Sequence, residues 1–239
     1  MARFWFLNGM CFLPTFLVIW SSSTFIVNYV IALLRGDIDV LFPYISDTGA
    51  SPPESCIFGL MSTITAFAGF ATMFARYKYV ECINQNRGSI PILNKTAFAF
   101  AFISCLGMCF VATFQETVLR KVHDFGAFIF FISGVIYIIL QTIISYKAYP
   151  YGTSKAVCYI RTIFAIVAFL AVFPTIICGF ITKSTQLHWN THDKDYTPHL
   201  VSAVCEWTVA FSFVFFFFTY IQEFKQFTLK VNTELLEST

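Results

Sequence analysis

Six ionisable residues stand out as able to do chemistry: Asp47, Glu54, His123, Asp124, His199 and Glu206. Carboxylates beside histidines can move protons, and a set of this kind can hold a metal for hydrolysis of a lipid. The spacing argues against a metal. No HExxH pair occurs, and His123 and Asp124 are adjacent, so they point different ways on a helix. His188 and His192 stand at i and i+4, but in a short polar loop. There is no GxSxG nucleophile turn, phosphate-binding loop or dinucleotide fingerprint. The expectation is no catalytic residue, no cofactor and no metal.

Glu206 is the most informative single residue. It lies inside an apolar run, about seven residues or ~10 Å of helix rise from the polar end of that run. An ionised acid at mid-membrane costs roughly 2.5–3.5 kcal/mol. Such a residue reaches water, stays protonated or pairs. His199 lies two turns away on the same stripe. A packing acid bonded to another span and a proton or ligand site both fit this pattern.

The elements that must position these residues are membrane spans. The 239 residues are 57% hydrophobic and 12% charged, with 31 phenylalanines, and mean hydropathy is +0.71. Soluble domains carry about 25% charge, so this chain cannot make the solvated surface of a globule. Net charge is +2, with no basic arm, zinc-finger spacing or RNA-binding signature, which sets nucleic acid aside as a partner. Six apolar runs have spanning length, near residues 10–34, 56–75, 96–114, 125–145, 162–181 and 200–221. The first is too long for a signal-peptide core and reads as a retained anchor. Pro174 predicts a kink in the fifth. The fold class is all-α, a polytopic six-transmembrane-helix bundle, read as a single membrane domain over residues 1–239.

Polar stripes show how the spans should face. Ser21, Thr24 and Asn28 share a face, as do Gly134, Tyr137, Gln141 and Ser145, and as do His199, Ser202, Ala203, Glu206 and Ala210. Lipid tails offer no hydrogen bonds, so these stripes should turn into the bundle. The opposite stripe of the sixth span, Trp207, Phe211, Phe215 and Phe218, should face lipid.

The polar stretch at 43–59, PYISDTGASPPESCIFG, separates the first two spans. Pro52 and Pro53 stop helix, and Asp47-Thr48-Gly49 has turn chemistry with Gly49 suited to positive φ. Ser51 is placed to cap the second span, with Pro52 at its first position and Glu54 in its first turn. The stretch reads either as a lid joining two spans or as a structured recognition loop.

Lysine and arginine set the orientation. The side holding both termini carries ten of the fifteen, including Arg3, Arg76, Arg87 and Arg161; the other side carries five, Lys183 among them. The ten-residue side should be cytosolic. The loops holding Asp47, His123 and His188 then face a lumen or the exterior. All four histidines fall there, either as a pH sensor or as solvated side chains that titrate without consequence. The eight cysteines lie mostly within spans and make no disulfide framework. Cys82 and Cys158, near the cytosolic surface, are candidates for palmitoylation. The sequon at Asn94 falls on the cytosolic side and should be unused.

PYISDTG at 43–49, PPES at 52–55, ARYK at 75–78, FQE at 114–116, HD at 123–124, LHWN at 187–190 and CEWTVAF at 205–211 resemble the damage-regulated autophagy modulator (DRAM) family. The likeness covers essentially the whole chain. It implies a lysosomal membrane protein that promotes autophagy and links it to stress-induced cell death; the six spans and the charge bias add a multi-pass topology with both termini cytosolic. It implies no catalytic residues. Its expected partners are membrane lipids and proteins of the autophagy–lysosome pathway. Tyr77-Lys78-Tyr79-Val80 matches a tyrosine-based sorting pattern. The alternative is an intramembrane lipid-handling protein, either a lipid transporter or a metal-dependent lipid hydrolase, using Asp47, Glu54, His123, Asp124, His199 and Glu206.

Overall fold

In the computed structural model, which describes residues 9–84, 89–182 and 184–230, the chain is all-helical across its apolar runs. The helices are α1 (Phe12–Arg35), α2 (Glu54–Asn84), α3 (Ile90–Thr113), α4 (Glu116–Ala148), α5 (Lys155–Ile181), α6 (Tyr196–Phe218) and α7 (Tyr220–Phe224). Among the described residues, six segments are long and apolar enough to cross a membrane, the last being α6 and α7 together. The protein is a multi-pass membrane protein. The Met10 N–H donates to the carbonyls of Phe224 and Phe227 at 2.9 Å each. The first and last described segments therefore meet at one end, called here the terminal end. The opposite end carries the 36–53 loop and is called the plug end.

Backbone self-sufficiency shapes the helices. Where a polar side chain falls in a span, it mostly bonds back along its own helix. Ser21 donates to Leu17, Thr24 to Trp20, Asn28 to Thr24 and Ser145 to Gln141, each four residues back. These residues are buried, as are Gly134, Tyr137, Gln141, His199, Ser202, Ala203, Glu206 and Ala210. Phe211, Phe215 and Phe218 are exposed on the outer face. The inward stripes expected from sequence are thus the inward faces of α1, α4 and α6.

α3 and α4 cross closely because Gly107 and Gly126 meet. A Cβ on Gly107 would lie 2.5 Å from the Phe130 nitrogen and 2.8 Å from the Gly126 carbonyl. Backbone cannot yield as a side-chain tip can. α4 breaks helical geometry at Leu119 (φ −129°, ψ 55°), whereas α5 runs through Pro174 as one helix.

Other expectations change. α2 begins at Glu54, after both prolines; the carbonyl of Ser51, rather than its side chain, accepts the Ser55 N–H at 2.8 Å. The helices extend past the apolar runs, so Arg76 and Arg161, counted as cytosolic loop charges, lie inside α2 and α5 and are fully buried. Removing them leaves eight charges against five. Arg3, Arg87 and Lys183 lie outside the described residues. Val80 of the sorting pattern is 1% exposed, and Tyr79 is buried with its hydroxyl donating to the Gly152 carbonyl. Both lie within α2, so no extended signal is presented. Cys158 is buried while Cys82 is exposed. Asn94 is buried, its amide donating to the Tyr77 carbonyl at 2.9 Å.

Gly49 does not have positive φ; it ends a short 3-10 helix, Asp47–Gly49. Its small size matters for another reason. A Cβ there would lie 2.4 Å from Phe58 Cγ and 2.5 Å from Phe58 Cβ. Overpacking of this kind costs about 1–3 kcal/mol. Gly49→Ala should therefore lower the thermal unfolding midpoint of the purified protein, and should lower it less in a Phe58→Ala background, where Cγ and the ring are gone. A Gly49→Ala protein as stable as wild type would show that Phe58 can move aside.

Candidate functional site

The polar stretch after α1 turns inward. Phe42 has φ of 44°, a left-handed conformation unusual for a bulky residue. Beyond it, residues 45–50 are all buried. Buried backbone must find partners, and these partners build the site. The Ile45 N–H donates to Glu206 Oε2 at 3.1 Å. The Tyr44 N–H donates to Asp47 Oδ2 at 2.9 Å. The Ser46 hydroxyl donates to Glu116 Oε2 at 2.8 Å. Thr117 Oγ1 donates to the Ala50 carbonyl and Trp207 Nε1 to the Pro43 carbonyl. The loop is thus a plug seated between α1, α2, α4 and α6.

The six candidates read from residue type divide between this plug and its surroundings. Asp47 is in the plug, and Glu206 and Glu116 hold it. His123, 4% exposed, points Nδ1 at the Phe114 carbonyl at 2.8 Å and has Nε2 4.0 Å from Glu116 Oε2. A carbonyl only accepts, so in this contact Nδ1 donates. Asp124 pairs with Arg120 one turn away at 3.4 Å. Arg120 also donates to the Thr182 carbonyl. Glu54 stands apart from these groups and makes an ion pair with Arg35 at the end of α1. His199 is stacked on Trp189 at 4.3 Å and meets the Tyr44 ring edge-on at 4.6 Å. Its place is a packed aromatic layer over the plug.

The 184–195 loop closes this layer. Asp39 accepts the Trp189 N–H at 2.6 Å and faces His188 Nδ1 at 3.0 Å. Partial burial opposes ionisation of Asp39, but these two donors hold its carboxyl below the ordinary range. Asp47 goes the other way. Burial, then the nearby charge of Glu116, pushes its carboxyl well above the ordinary range, despite the bond from Tyr44. Tyr44 is likewise raised, by burial. Among the described residues, no three of His, Cys, Asp and Glu converge as a metal would require.

Two cavities adjoin the plug. One of about 80 Å³ lies between α4, α5 and α6 and is lined by Glu116, Arg120, Asp124 and Glu206. The other, of about 120 Å³, runs beneath the plug through the apolar interior.

A second polar cluster sits toward the terminal end. Arg76 and Arg161, from α2 and α5, both pair with Glu223 of α7 through its Oε2. Gln141, Ser145 and Thr219 accept further guanidinium hydrogen bonds. Tyr220 lies under both cations, at 5.0 and 4.7 Å. Sequence reasoning missed this cluster. Its one available signal was an arginine at the very edge of each of two apolar runs.

The description "Frag1/DRAM/Sfk1/Cwh43P N-terminal domain" matches residues 9–227. DNA damage-regulated autophagy modulator protein 1 of Homo sapiens is 48% identical over 96% of this chain and 97% of its own length. The protein of the same name from Xenopus laevis is 45% identical over 98% of each chain. DNA damage-regulated autophagy modulator protein 2 of Mus musculus is 42% identical over 97% of this chain and 90% of its own. No solved structure matches. With a family description covering 9–227 and near-full-length identity of this order, the chain belongs to the Frag1/DRAM/Sfk1/Cwh43P family.

Proposed function

We propose that this protein is a non-enzymatic modulator of the lysosomal membrane that promotes autophagy and couples it to stress-induced cell death. The observation that carries the reading is 48% identity, over nearly the whole of both chains, to a protein named as a DNA damage-regulated autophagy modulator. The non-enzymatic reading is supported by how the acids are used. Asp47, Glu116 and Glu206 each accept a hydrogen bond that holds the plug. Both termini are assigned to the cytosol by the lysine and arginine bias, and the plug end to the lumen. Partners are membrane lipids and proteins of the autophagy–lysosome pathway. The lipid-handling alternative, a transporter rather than a hydrolase, is favoured by one observation, the apolar cavity beneath the plug.

The test is autophagic flux after DNA damage in cells lacking the protein, with variants restored at matched level. Wild type should restore flux from the lysosomal membrane, with tags on both termini digested by protease added to intact lysosomes. Loss of the chain without effect on flux would overturn the reading, and a protected tag would overturn the orientation. Glu206→Gln should also restore flux, because the amide oxygen still accepts the Ile45 N–H. Glu206→Ala leaves that N–H without its acceptor, at about 1–3 kcal/mol, and should lower abundance. A correctly placed, abundant but inactive Glu206→Gln protein would move Glu206 from plug holder to proton or ligand site and favour the lipid-handling alternative.

A further inference from the structure

The neck that joins α1 to the plug carries three consecutive exposed apolar side chains. Val40, Leu41 and Phe42 are 65%, 69% and 47% exposed. They lie outside any helix, and the buried stretch of the plug begins at Ile45. In water a run of this kind would be a liability.

Two hydrogen bonds set how deep the neck lies. On one flank, the Tyr29 hydroxyl donates to the Val40 carbonyl at 2.8 Å. Tyr29 stands six residues before Arg35, at the end of the 24-residue α1. Such a helix is ~36 Å long, so centred on a hydrocarbon layer of about 30 Å it overhangs by about 3 Å at each end. Tyr29 is then about 6 Å inside the layer. On the other flank, Trp207 Nε1 donates to the Pro43 carbonyl at 2.9 Å. Trp207 stands eleven residues past Tyr196 on the 29-residue span of α6 and α7. The same arithmetic places its Cα about 10 Å inside, and its side chain leans back toward the plug end. The neck thus lies below the level at which α1 and α6 end.

The backbone fits that depth. Irregular backbone within a bilayer must find its partners in the protein. Tyr29 and Trp207 take the Val40 and Pro43 carbonyls, and Asp47 and Glu206 take the Tyr44 and Ile45 N–H groups. Pro43 brings no N–H of its own. The helices beside the neck also present apolar side chains outward. Ile26 and Phe211, one turn from Tyr29 and Trp207, are exposed. The carboxylates just before the neck are engaged elsewhere, Asp37 by Arg35 and Asp39 by the Trp189 N–H. The change from polar to apolar contacts falls between residues 39 and 40.

We propose that residues 40–42 are inserted among the acyl chains of the leaflet at the plug end, making the neck of the plug a lipid-contact site. Lipid tails are the occupant because all three side chains are apolar and both anchoring bonds come from within spans. Pro43 follows directly, so lipid contact at the neck bears on the seating of the plug. The site rests on the membrane reading of the fold and needs no assumption about autophagy.

The experiment uses the purified full-length protein in phosphatidylcholine vesicles. The photocrosslinking residue p-benzoylphenylalanine replaces Leu41, Phe42 or, as a control, His192, which is exposed in the 184–195 loop. On irradiation the two neck positions should form lipid adducts, with fragmentation placing the new bond on an acyl chain. The His192 position should form none. Adducts on the head group alone, or equal acyl labelling at His192, would overturn the proposal. So would a lack of adducts at both neck positions in protein whose thermal midpoint matches wild type. Leu41→Asp supplies a second measurement, because a carboxylate is driven out of the acyl layer and draws the neck with it. Hydrogen exchange over residues 43–54 in the same vesicles should rise severalfold in Leu41→Asp, and unchanged exchange would place the neck outside the lipid. Should Leu41→Asp fail to fold, the crosslinking decides the matter alone.

Discussion

Glu223→Ala should be the most damaging single substitution in this protein. Arg76 and Arg161 are both fully buried and both direct a guanidinium nitrogen at Glu223 Oε2. The remaining contacts are neutral. Arg76 Nε donates to Gln141 Oε1 at 3.1 Å. Arg161 donates to Ser145 Oγ at 2.7 Å and to Thr219 Oγ1 at 2.9 Å. Tyr79, Tyr220 and Phe216 offer ring faces. Removing the carboxylate leaves two buried cations without the anion they share. Breaking a buried pair costs about 3–5 kcal/mol, a large part of the roughly 5–15 kcal/mol that keeps a domain folded. The damage should spread, because the cluster ties α2, α4, α5 and α7 together and the next carbonyls along, Phe224 and Phe227, anchor Met10. Fluorescence-detected size exclusion after heating should show Glu223→Ala aggregated where wild type is monodisperse. Glu223→Gln, which keeps an acceptor, should fall between them. The triple change Arg76→Met, Arg161→Met, Glu223→Met should be less harmful than Glu223→Ala alone, since apolar replacement of a whole buried ion cluster is often tolerated. If Glu223→Ala matches wild type, the cluster is not what holds the terminal end.

This cluster shows where sequence reading stopped. Hydropathy placed the second span's end at residue 75 and the fifth span's start at 162, one residue short of Arg76 and one past Arg161. Arginine lowers the window average, so the run is cut at the very residue that belongs inside. The partner, Glu223, is 147 residues from Arg76, and no periodicity links them. Inward faces were legible for the opposite reason: Ser21, Thr24 and Asn28 declare themselves by helical spacing alone. The plug was half legible. Its turn residues were evident at 47–49, but its burial depends on Glu206 and Glu116, 161 and 70 residues away from the groups they hold. The positive φ expected of Gly49 is absent, and the Phe58 side chain that crowds it belongs to the next helix, out of reach of local turn chemistry.

Acidification should tighten the plug, and Asp47 should be the reason. Its carboxyl is 7% exposed and accepts the Tyr44 N–H. Burial, and after it the charge of Glu116 on α4, pushes its pKa well above the ordinary range; Glu206 on α6 adds to this, and Arg120 on α4 works against it. His199 on α6 lines the same small pocket, against Trp189. An acid whose pKa is raised on folding binds its proton more tightly in the plugged state than in the open one. Its stabilising contribution is complete below the open-state pKa and is lost as pH rises through the raised value. Within that window each pH unit is worth about 1.4 kcal/mol, or tenfold in the opening equilibrium. Hydrogen exchange over residues 43–54 should therefore be slower at about pH 5 than at about pH 7 once intrinsic rates are corrected. Asp47→Asn keeps an acceptor for the Tyr44 N–H and removes the proton, so its protection should be high and nearly the same at both pH values. His188→Gln should keep the wild-type pH dependence, since His188 faces Asp39 at an exposed edge rather than the plug. That result would shift pH sensing from the histidines, where composition suggests it, to a buried carboxylate. Equal wild-type protection at both pH values, or a pH dependence that survives Asp47→Asn, would show that Asp47 does not control the plug.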